Sequence, residues 1–155
     1  MRLTRYTDYC LRVLMYLGLK GDELATIKEI AERYDISKNH LMKVAYELNR
    51  LGYIETIRGK NGGMHLRLAP EQINLGQLIR DTESDLTIVE CFTTGGHCSI
   101  TPSCMLKQVL NEALETFFAV LSQYTLSDLL VPKHDLRSLL GVQDNRGVQQ
   151  LRQLR

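Results

Sequence analysis

The sequence of 155 residues contains no apolar stretch approaching the roughly 18 residues that a membrane-spanning helix needs. Its first residues, Met1-Arg2-Leu3-Thr4-Arg5, carry charge, but no apolar segment follows them as it would in a secretory signal. Both absences argue against a membrane or secreted protein. We therefore expect a cytoplasmic protein with no membrane partner, in which thiols stay reduced.

Cysteine is also scarce: there are four in the chain, and none forms a CxxC pair. Their number argues against a disulfide-stapled domain, and the missing pairs argue against a usual structural zinc site. Three of them, Cys91, Cys98 and Cys104, nevertheless fall in one short glycine-containing segment. Such a loop can place three thiolates around one centre, which favours an iron–sulfur cluster with one position left for another ligand. Zinc, redox-active thiols and inert cysteines remain alternatives.

Two further residues bear on this chemistry. Cys10 lies in the first predicted helix, where we expect a small buried apolar side chain. His97 precedes Cys98 and is a candidate for the remaining ligand, although a histidine in a glycine-rich loop is more often solvated. The same pair could form a cysteine nucleophile with its base. No third orienting group is evident, so we expect no catalytic residues and no enzyme.

Length and charge indicate a small head attached to a second element. The chain suits one domain, or a small domain with an addition. Residues 1–70 carry 12 Lys or Arg against 8 Asp or Glu, a net charge of +4. Residues 71–130 carry 2 against 8, a net of −6, and residues 131–155 carry 5 against 2, a net of +3. A basic first half is typical of a module that binds a polyanion.

The first fifty residues predict three helices. Thr7-Asp8 can cap a helix from about Tyr9 to Leu19, which Gly18, Gly21 and Asp22 would end. A capping box at Thr26-Ile27-Lys28-Glu29 opens the second helix, and Ser37 opens a third that runs to about Leu51, followed by Gly52. The last two helices form a helix-turn-helix, whose second helix reads bases with its first residues. The candidate DNA-binding residues are Ser37, Lys38, Asn39, His40 and Lys43.

A β-hairpin follows. Tyr53–Ile57 and Met64–Leu68 alternate as strands do, and Asn61-Gly62 lies between them as a turn signal. Cations and glycines at the hairpin tip would allow close approach to phosphates and the minor groove. The candidate DNA-binding residues of this wing are Arg58, Lys60, Asn61 and Gly62. The fold class is therefore mainly α with a small β-hairpin, a winged helix-turn-helix over residues 1–70.

The second half predicts a long helix and a tail. Asn74 caps a short helix to about Asp81, and after the cysteines a helical pattern runs from Ser103 to about Tyr124. Its wide apolar stripe favours pairing with the same helix of a second copy, and a homodimer would match a palindromic DNA site. An intramolecular core helix is the alternative. Residues 71–130 would thus hold the cysteine loop and the dimerisation helix, and residues 131–155 a flexible tail.

Several of these features together resemble a known family. They are Leu-Thr-x-Tyr-Thr-Asp at residues 3–8, Arg-Gly-Lys-Asn-Gly-Gly at residues 58–63, three spaced cysteines and a long helix. The combination closely resembles the Rrf-type winged-helix iron–sulfur repressors over residues 1 to about 130, and within them the nitric-oxide-sensing members. The resemblance implies a homodimeric repressor on a double-stranded DNA operator. It would carry one iron–sulfur cluster per subunit, [4Fe–4S] in preference to [2Fe–2S], and nitrosylation would derepress nitric oxide detoxification genes.

The resemblance also implies which residues bind the cluster. Cys91, Cys98 and Cys104 match the three cysteine ligands, and Asp8 matches an aspartate attributed to the first helix of the other subunit. Cluster-assembly regulators of the family have a histidine where this chain has Lys107, which argues against that branch. The same architecture could instead sense iron–sulfur supply or oxidative stress, or a zinc or thiol site could regulate it by redox chemistry.

Overall fold

The computed structural model describes residues 2–92 and 98–142. Within them the chain forms seven α-helices and one antiparallel two-stranded sheet. The elements are α1 (Arg5–Lys20), α2 (Ile27–Tyr34), α3 (Lys38–Arg50), β1 (Ile54–Ile57), β2 (Gly63–Leu66), α4 (Leu75–Thr82), α5 (Met105–Leu121), α6 (Leu126–Leu129) and α7 (Lys133–Leu140). Short 3-10 turns lie at Pro70–Gln72, Glu90–Phe92 and Thr101–Ser103. The predicted mainly helical fold with a hairpin wing is confirmed, and none of these described helices could cross a bilayer.

Helix α1 is longer than predicted at both ends. Thr4 is its N-cap and accepts a hydrogen bond from the Thr7 backbone N–H at 3.2 Å, so Thr7 and Asp8 lie inside the first turn. Gly18 also lies inside the helix, at a place where a Cβ would approach Leu130 Cδ1 to 2.7 Å. Its lack of a side chain allows close packing, and the helix ends instead at Gly21, which has φ +68°.

The predicted helix-turn-helix is confirmed. Thr26 and Glu29 form the capping box of α2, and the Ser37 side chain accepts from the His40 N–H at 3.3 Å to start α3. Glu29 also ties α2 to α1, since its Oε1 accepts from the Tyr16 hydroxyl at 2.8 Å and from Lys20 Nζ at 3.0 Å. The Glu29 contacts therefore fix the position of α2 relative to α1.

The wing is a short hairpin in which Ile54 pairs with Leu66 and Ile57 with Gly63. Strand β1 begins one residue later than predicted, at Ile54. Strand β2 begins one residue earlier, at Gly63, and ends two residues earlier, at Leu66. Backbone bonds of 3.0 and 2.8 Å between Ala25 and Met64 attach the hairpin to the segment before α2.

Helix α1 lies at the centre of the molecule. It packs against α3 and β2 on one side and against α4, α6 and α7 on the other. Most of its apolar side chains are fully buried, namely Cys10, Val13, Leu14, Tyr16, Leu17 and Leu19. One core therefore joins the winged helix to the second half.

Side-chain contacts of Asn74 and Arg80 join the elements of the second half. The predicted cap Asn74 is confirmed, because its side chain accepts from the Gln77 N–H at 3.1 Å, and its Nδ2 donates to the Ser122 carbonyl at 2.8 Å. Helix α5 begins at Met105 rather than Ser103, since a 3-10 turn containing Pro102 precedes it. Phe118 is buried, and the Arg80 guanidinium lies 3.8 Å from its ring centroid.

The C-terminal region differs from the flexible tail expected for residues 131–155. Residues 133–140 form α7, which packs on α1, and Val142 is buried in the core, whereas residues 143–155 lie outside the described part of the chain. Arg137 donates from Nε at 3.1 Å and from Nη2 at 2.8 Å to the Leu19 carbonyl. A cation near a helix C-terminus is stabilising. The sequence did not predict this contact, because the helical periodicity beyond Pro132 is weak.

Replacement of this cap should destabilise the fold. We expect Arg137→Ala to lower the free energy of unfolding by about 1–2 kcal/mol, because two charged hydrogen bonds to the end of α1 are lost. Arg137→Lys should recover part of the loss, and Lys133→Ala, exposed on the same helix, should change little. Denaturant unfolding at one protein concentration measures all three, and equal stability of Arg137→Ala and wild type would contradict a stabilising role for the Arg137 cap.

Candidate nucleic-acid interface and cysteine segment

The start of α3 presents polar side chains to solvent. Ser37, Lys38, Asn39, His40 and Lys43 are all exposed, while Leu41, Val44, Ala45 and Leu48 of the same helix are buried. The predicted DNA-binding residues are thus brought together on one surface. The His40 ring lies 6.1 Å from the ring of Tyr9, so the start of α3 is in contact with α1.

The wing adds a second exposed basic surface. Arg58, Lys60 and Asn61 are exposed, and neither cation has an ion-pair partner among the described residues. Asn61 has φ +79° and Gly59 φ +108°, and the Gly62 N–H donates to the Gly59 carbonyl at 2.9 Å. Gly62 is half-buried, and a Cβ there would lie 3.0 Å from that same carbonyl oxygen. The tight turn therefore needs glycine at residue 62 and leaves both cations free to meet phosphates.

The structure does not bring the three cysteines together within the described residues. Cys91 is half-buried in the turn Glu90–Phe92, Cys98 is exposed, and Cys104 is half-buried at the start of α5. All are free thiols, and no described group of three His, Cys, Asp or Glu side chains is close enough to hold a metal ion. His97 and the rest of residues 93–97 lie outside the described range.

The donor set and its surroundings nevertheless fit a thiolate-bound cluster. Cys104 is the N-cap of α5 and its side chain makes no capping hydrogen bond, so unpaired backbone N–H groups and the helix dipole favour negative charge there. The turn between Cys98 and Cys104 is compact, since the Thr101 N–H donates to the Cys98 carbonyl at 3.1 Å. Thr101 Oγ1 is buried with no hydrogen-bond partner among the described residues. These features suit an anionic group beside residues 98–104.

Cys10 behaves as predicted, as a small buried side chain. It is 0% exposed in the core. Burial raises the pKa of its thiol to about 12, so it stays protonated at neutral pH. A neutral thiol in the core is neither a metal ligand nor a reactive nucleophile.

Asp8 lies on the first turn of α1 and pairs with Arg12, whose Nη2 is 2.9 Å from Asp8 Oδ2. The Asp8 side chain is 47% exposed, so another molecule can reach the carboxylate. Arg12 in turn lies over the ring of Tyr34, 5.7 Å from its centroid, at the end of α2. Asp8 is thus an accessible carboxylate on the helix that packs against the candidate DNA-binding helix α3.

Hydrogen bonds that the sequence did not predict join α1 to the segment that leads into the cysteines. Glu83 Oε1 accepts from the Thr4 backbone N–H at 2.7 Å and from the Thr4 hydroxyl at 3.1 Å. The Thr7 hydroxyl donates to Thr82 Oγ1 at 3.1 Å, and both threonines are buried. Threonines at helix ends carry no sequence signal for such a contact, because their usual role is local capping. We call this set of contacts the Thr4–Glu83 junction.

Sequence reasoning also missed two apolar residues on the exposed side of α3. Met42 is 50% exposed and Tyr46 is 69% exposed. Both fall at helical spacing from Asn39, on the side opposite the buried residues, so periodicity could have identified them.

Comparisons with known proteins agree with this architecture. The model of the Rrf2 family, described as an iron-dependent transcriptional regulator, matches residues 3–132. The HTH-type transcriptional regulator NsrR of Bacillus licheniformis is 56% identical over 143 residues, covering 91% of this chain and 100% of that protein. NsrR of Bacillus subtilis is 55% identical over 146 residues, covering 93% of this chain and 100% of that protein.

Solved structures of other proteins share this fold. Oxidised CymR of Staphylococcus aureus matches with a TM-score of 0.68 and 26% identity, covering 84% of this chain and 97% of that one. IscR of T. potens matches with a TM-score of 0.68 and 25% identity, covering 88% of this chain and 91% of that one. The named relatives are transcriptional regulators, so the protein is a regulator and not an enzyme. The chain therefore belongs to the Rrf2 family of transcriptional regulators and is close to the NsrR proteins within it.

Proposed function

We propose that the protein is a homodimeric, DNA-binding repressor that senses nitric oxide through an iron–sulfur cluster. One observation carries the proposal. A chain that is 56% identical to an NsrR protein has three free cysteines within 14 residues and a basic winged helix. In this proposal residues 1–70 bind the operator and residues 71–130 hold the cluster and the dimer interface. When bound, the cluster supplies iron sites that react with nitric oxide.

Cys91, Cys98 and Cys104 would hold the cluster, and Asp8 of the partner subunit would supply the remaining ligand. A carboxylate is a harder donor than a thiolate and is more readily displaced from a soft cluster. Asp8 fits this role because it is half exposed and its pairing with Arg12 is a surface contact, worth only a few tenths of a kcal/mol. Exchanging that partner therefore costs the free subunit little.

The contacts of α1 would carry the signal to DNA. Its first turn contacts Glu83 and Thr82 through the Thr4–Glu83 junction, and Tyr9 of the next turn contacts His40 at the start of α3. Any change in the segment after Glu83 or at Asp8 therefore acts on the helix that supports the recognition helix. A shift of α1 would alter the spacing of the two heads, on which binding to two half-sites depends.

The dimer interface would be formed by α5. Five apolar residues on one side of this helix and just beyond it are exposed in the single chain: Met105, Leu106, Val109, Val120 and Tyr124. Phe118, on another side, is the helix's buried residue against the body of the subunit. An exposed apolar strip of this length favours a second copy of the same helix, because a dimer would remove it from water.

The metal content and the cysteines test the sensor directly. We expect protein purified without oxygen to contain iron and sulfide, and Cys91, Cys98 and Cys104 to resist alkylation until the cluster is removed. Cys10 should react only after unfolding. Protein that contains zinc or no metal, and does not take up iron and sulfide on reconstitution, would support the alternative of a zinc- or thiol-regulated repressor and contradict the cluster.

Asp8 should set the response to nitric oxide. We expect Asp8→Ala to keep iron and sulfide, since the three cysteines remain, but to lose most of the change in DNA affinity that nitric oxide causes in wild type. Asp22→Ala, an exposed aspartate after α1, is the matched control and should respond normally. DNA-binding titrations with and without nitric oxide measure this, and an unchanged response of Asp8→Ala would contradict the relay through α1. A response to oxidants or iron supply alone would identify a different signal.

Asn39 and Lys60 should affect DNA binding differently. We expect Asn39→Ala to cost about 1–3 kcal/mol on the specific site and little elsewhere, because an amide can pair with one base edge. Lys60→Ala should weaken binding to all sequences and lower the slope of log K against log salt by about 1, because it removes one phosphate contact. Titrations on specific and random duplexes at several salt concentrations separate the two, and equal losses on both duplexes would contradict the assigned roles.

Loss of the α5 strip should give monomers. We expect Val109→Glu to shift the protein from dimer to monomer, because a charge would be buried against the partner. Asn111→Glu adds the same charge at an exposed position about 160° around α5 from Val109 and should remain dimeric. Sedimentation velocity measures the state, with helical content checked by circular dichroism, and a dimeric Val109→Glu protein would place the interface elsewhere.

A further inference from the structure

Two large apolar side chains lie in the middle of the exposed face of α3. Met42 is 50% exposed and Tyr46 69% exposed, and they are one helical turn apart. At 100° per residue both fall within about 60° of Asn39 around the helix axis, and Lys43 falls within about 40° on the other side. A continuous strip on one side of a helix is less expected on a free surface than single apolar residues are.

The charges around this strip indicate its partner. Lys38 and Lys43 are exposed on the same helix, and the one carboxylate of α3, Glu47, is paired with Arg50 at 2.7 Å. A strip of this kind within a basic surface suits a partner that is anionic and also has small apolar groups. Duplex DNA has both, because the major groove displays the 5-methyl group of each thymine between two phosphate backbones.

The spacing along the helix agrees with the dimensions of DNA. With a rise of 1.5 Å per residue, Met42 lies about 4.5 Å and Tyr46 about 10.5 Å beyond Asn39 along the axis. Successive base pairs are about 3.4 Å apart and the major groove is about 12 Å wide. A helix that places Asn39 on one base edge can therefore place Met42 over a neighbouring base pair and Tyr46 toward the next wall of the groove.

We propose that Met42 and Tyr46 form an apolar strip that reads thymine methyl groups next to the base pair contacted by Asn39. The proposal rests on the proposed function, since it requires α3 to lie in the major groove. It adds a source of sequence preference that needs no hydrogen bond. Operators of this protein would then contain thymines at fixed positions beside the base that Asn39 reads.

Removal of single methyl groups tests this strip. The dimeric, cluster-loaded protein would first enrich a binding site from random duplexes, and each thymine of that site would then be replaced by deoxyuridine. We expect about a fourfold loss of affinity at each contacted thymine, the equivalent of one buried methylene, and no loss elsewhere. Met42→Ala and Tyr46→Ala should each bind the thymine site more weakly and become insensitive to deoxyuridine at their own positions. Tyr46→Phe, which keeps the ring, should retain the sensitivity.

The controls separate the possible failures. Leu139→Ala removes an apolar side chain that is even more exposed, 83% on α7, and should leave the deoxyuridine pattern unchanged. If no sequence is enriched, the proposed DNA-binding function itself fails. If a site is enriched but deoxyuridine has no effect, or Met42→Ala keeps the wild-type pattern, the methyl-reading strip is wrong. If Met42→Ala or Tyr46→Ala changes the association state without DNA, the strip is a protein contact and the inference is also overturned.

Discussion

The burial of α1 on both of its sides is the constraint on which the rest of the structure depends. The helix packs against α3 and β2 of the winged helix and against α4, α6 and α7 of the second half. Several side chains on successive turns, including Val13 and Leu17, have almost no exposed surface. A helix buried on both sides cannot move relative to one half without disturbing the other, because packed interiors have few voids to absorb a shift. The candidate DNA-binding surface and α4, which precedes the cysteine segment in the chain, therefore share one support.

The winged helix could be predicted from the sequence because its signals are local. Thr26, Glu29 and Ser37 cap helices through side chains within three residues of the groups they satisfy, and Asn61, at φ +79°, adopts the left-handed conformation that its residue type tolerates in turns. Contacts between distant residues left no such signal. Gly18 looked like a helix end, although it is a place where Leu130 packs closely, and Arg137 looked like part of a tail, although it caps α1. In each case the deciding partner lies more than 100 residues away in the chain.

The candidate site could be predicted only in part, because local signals in the sequence cover only some of its residues. Residue type and spacing identified the exposed start of α3 and the free thiols at Cys91, Cys98 and Cys104, and burial confirmed the inert role of Cys10. The spacing of the three cysteines does not determine whether their thiols converge, because convergence depends on the loop conformation and on the bound metal group. The Thr4–Glu83 junction was missed because it joins two helix ends through common polar residues. Such contacts become visible only when the packing of α1 on α4 is known.

The strength of these contacts suits the role proposed for them. A regulator needs a coupling free energy of about 1–3 kcal/mol between its signal and its DNA, enough for a 5- to 150-fold change in affinity. The first turn of α1 is held by two hydrogen bonds to Glu83 and one between Thr7 and Thr82, each worth about 0.5–1.5 kcal/mol in such settings. Their sum, about 1.5–4.5 kcal/mol, is of the same order as the coupling required and below the roughly 5–15 kcal/mol that keeps a typical domain folded. A change at this end of α1 can therefore alter the position of the recognition helix while the fold stays intact.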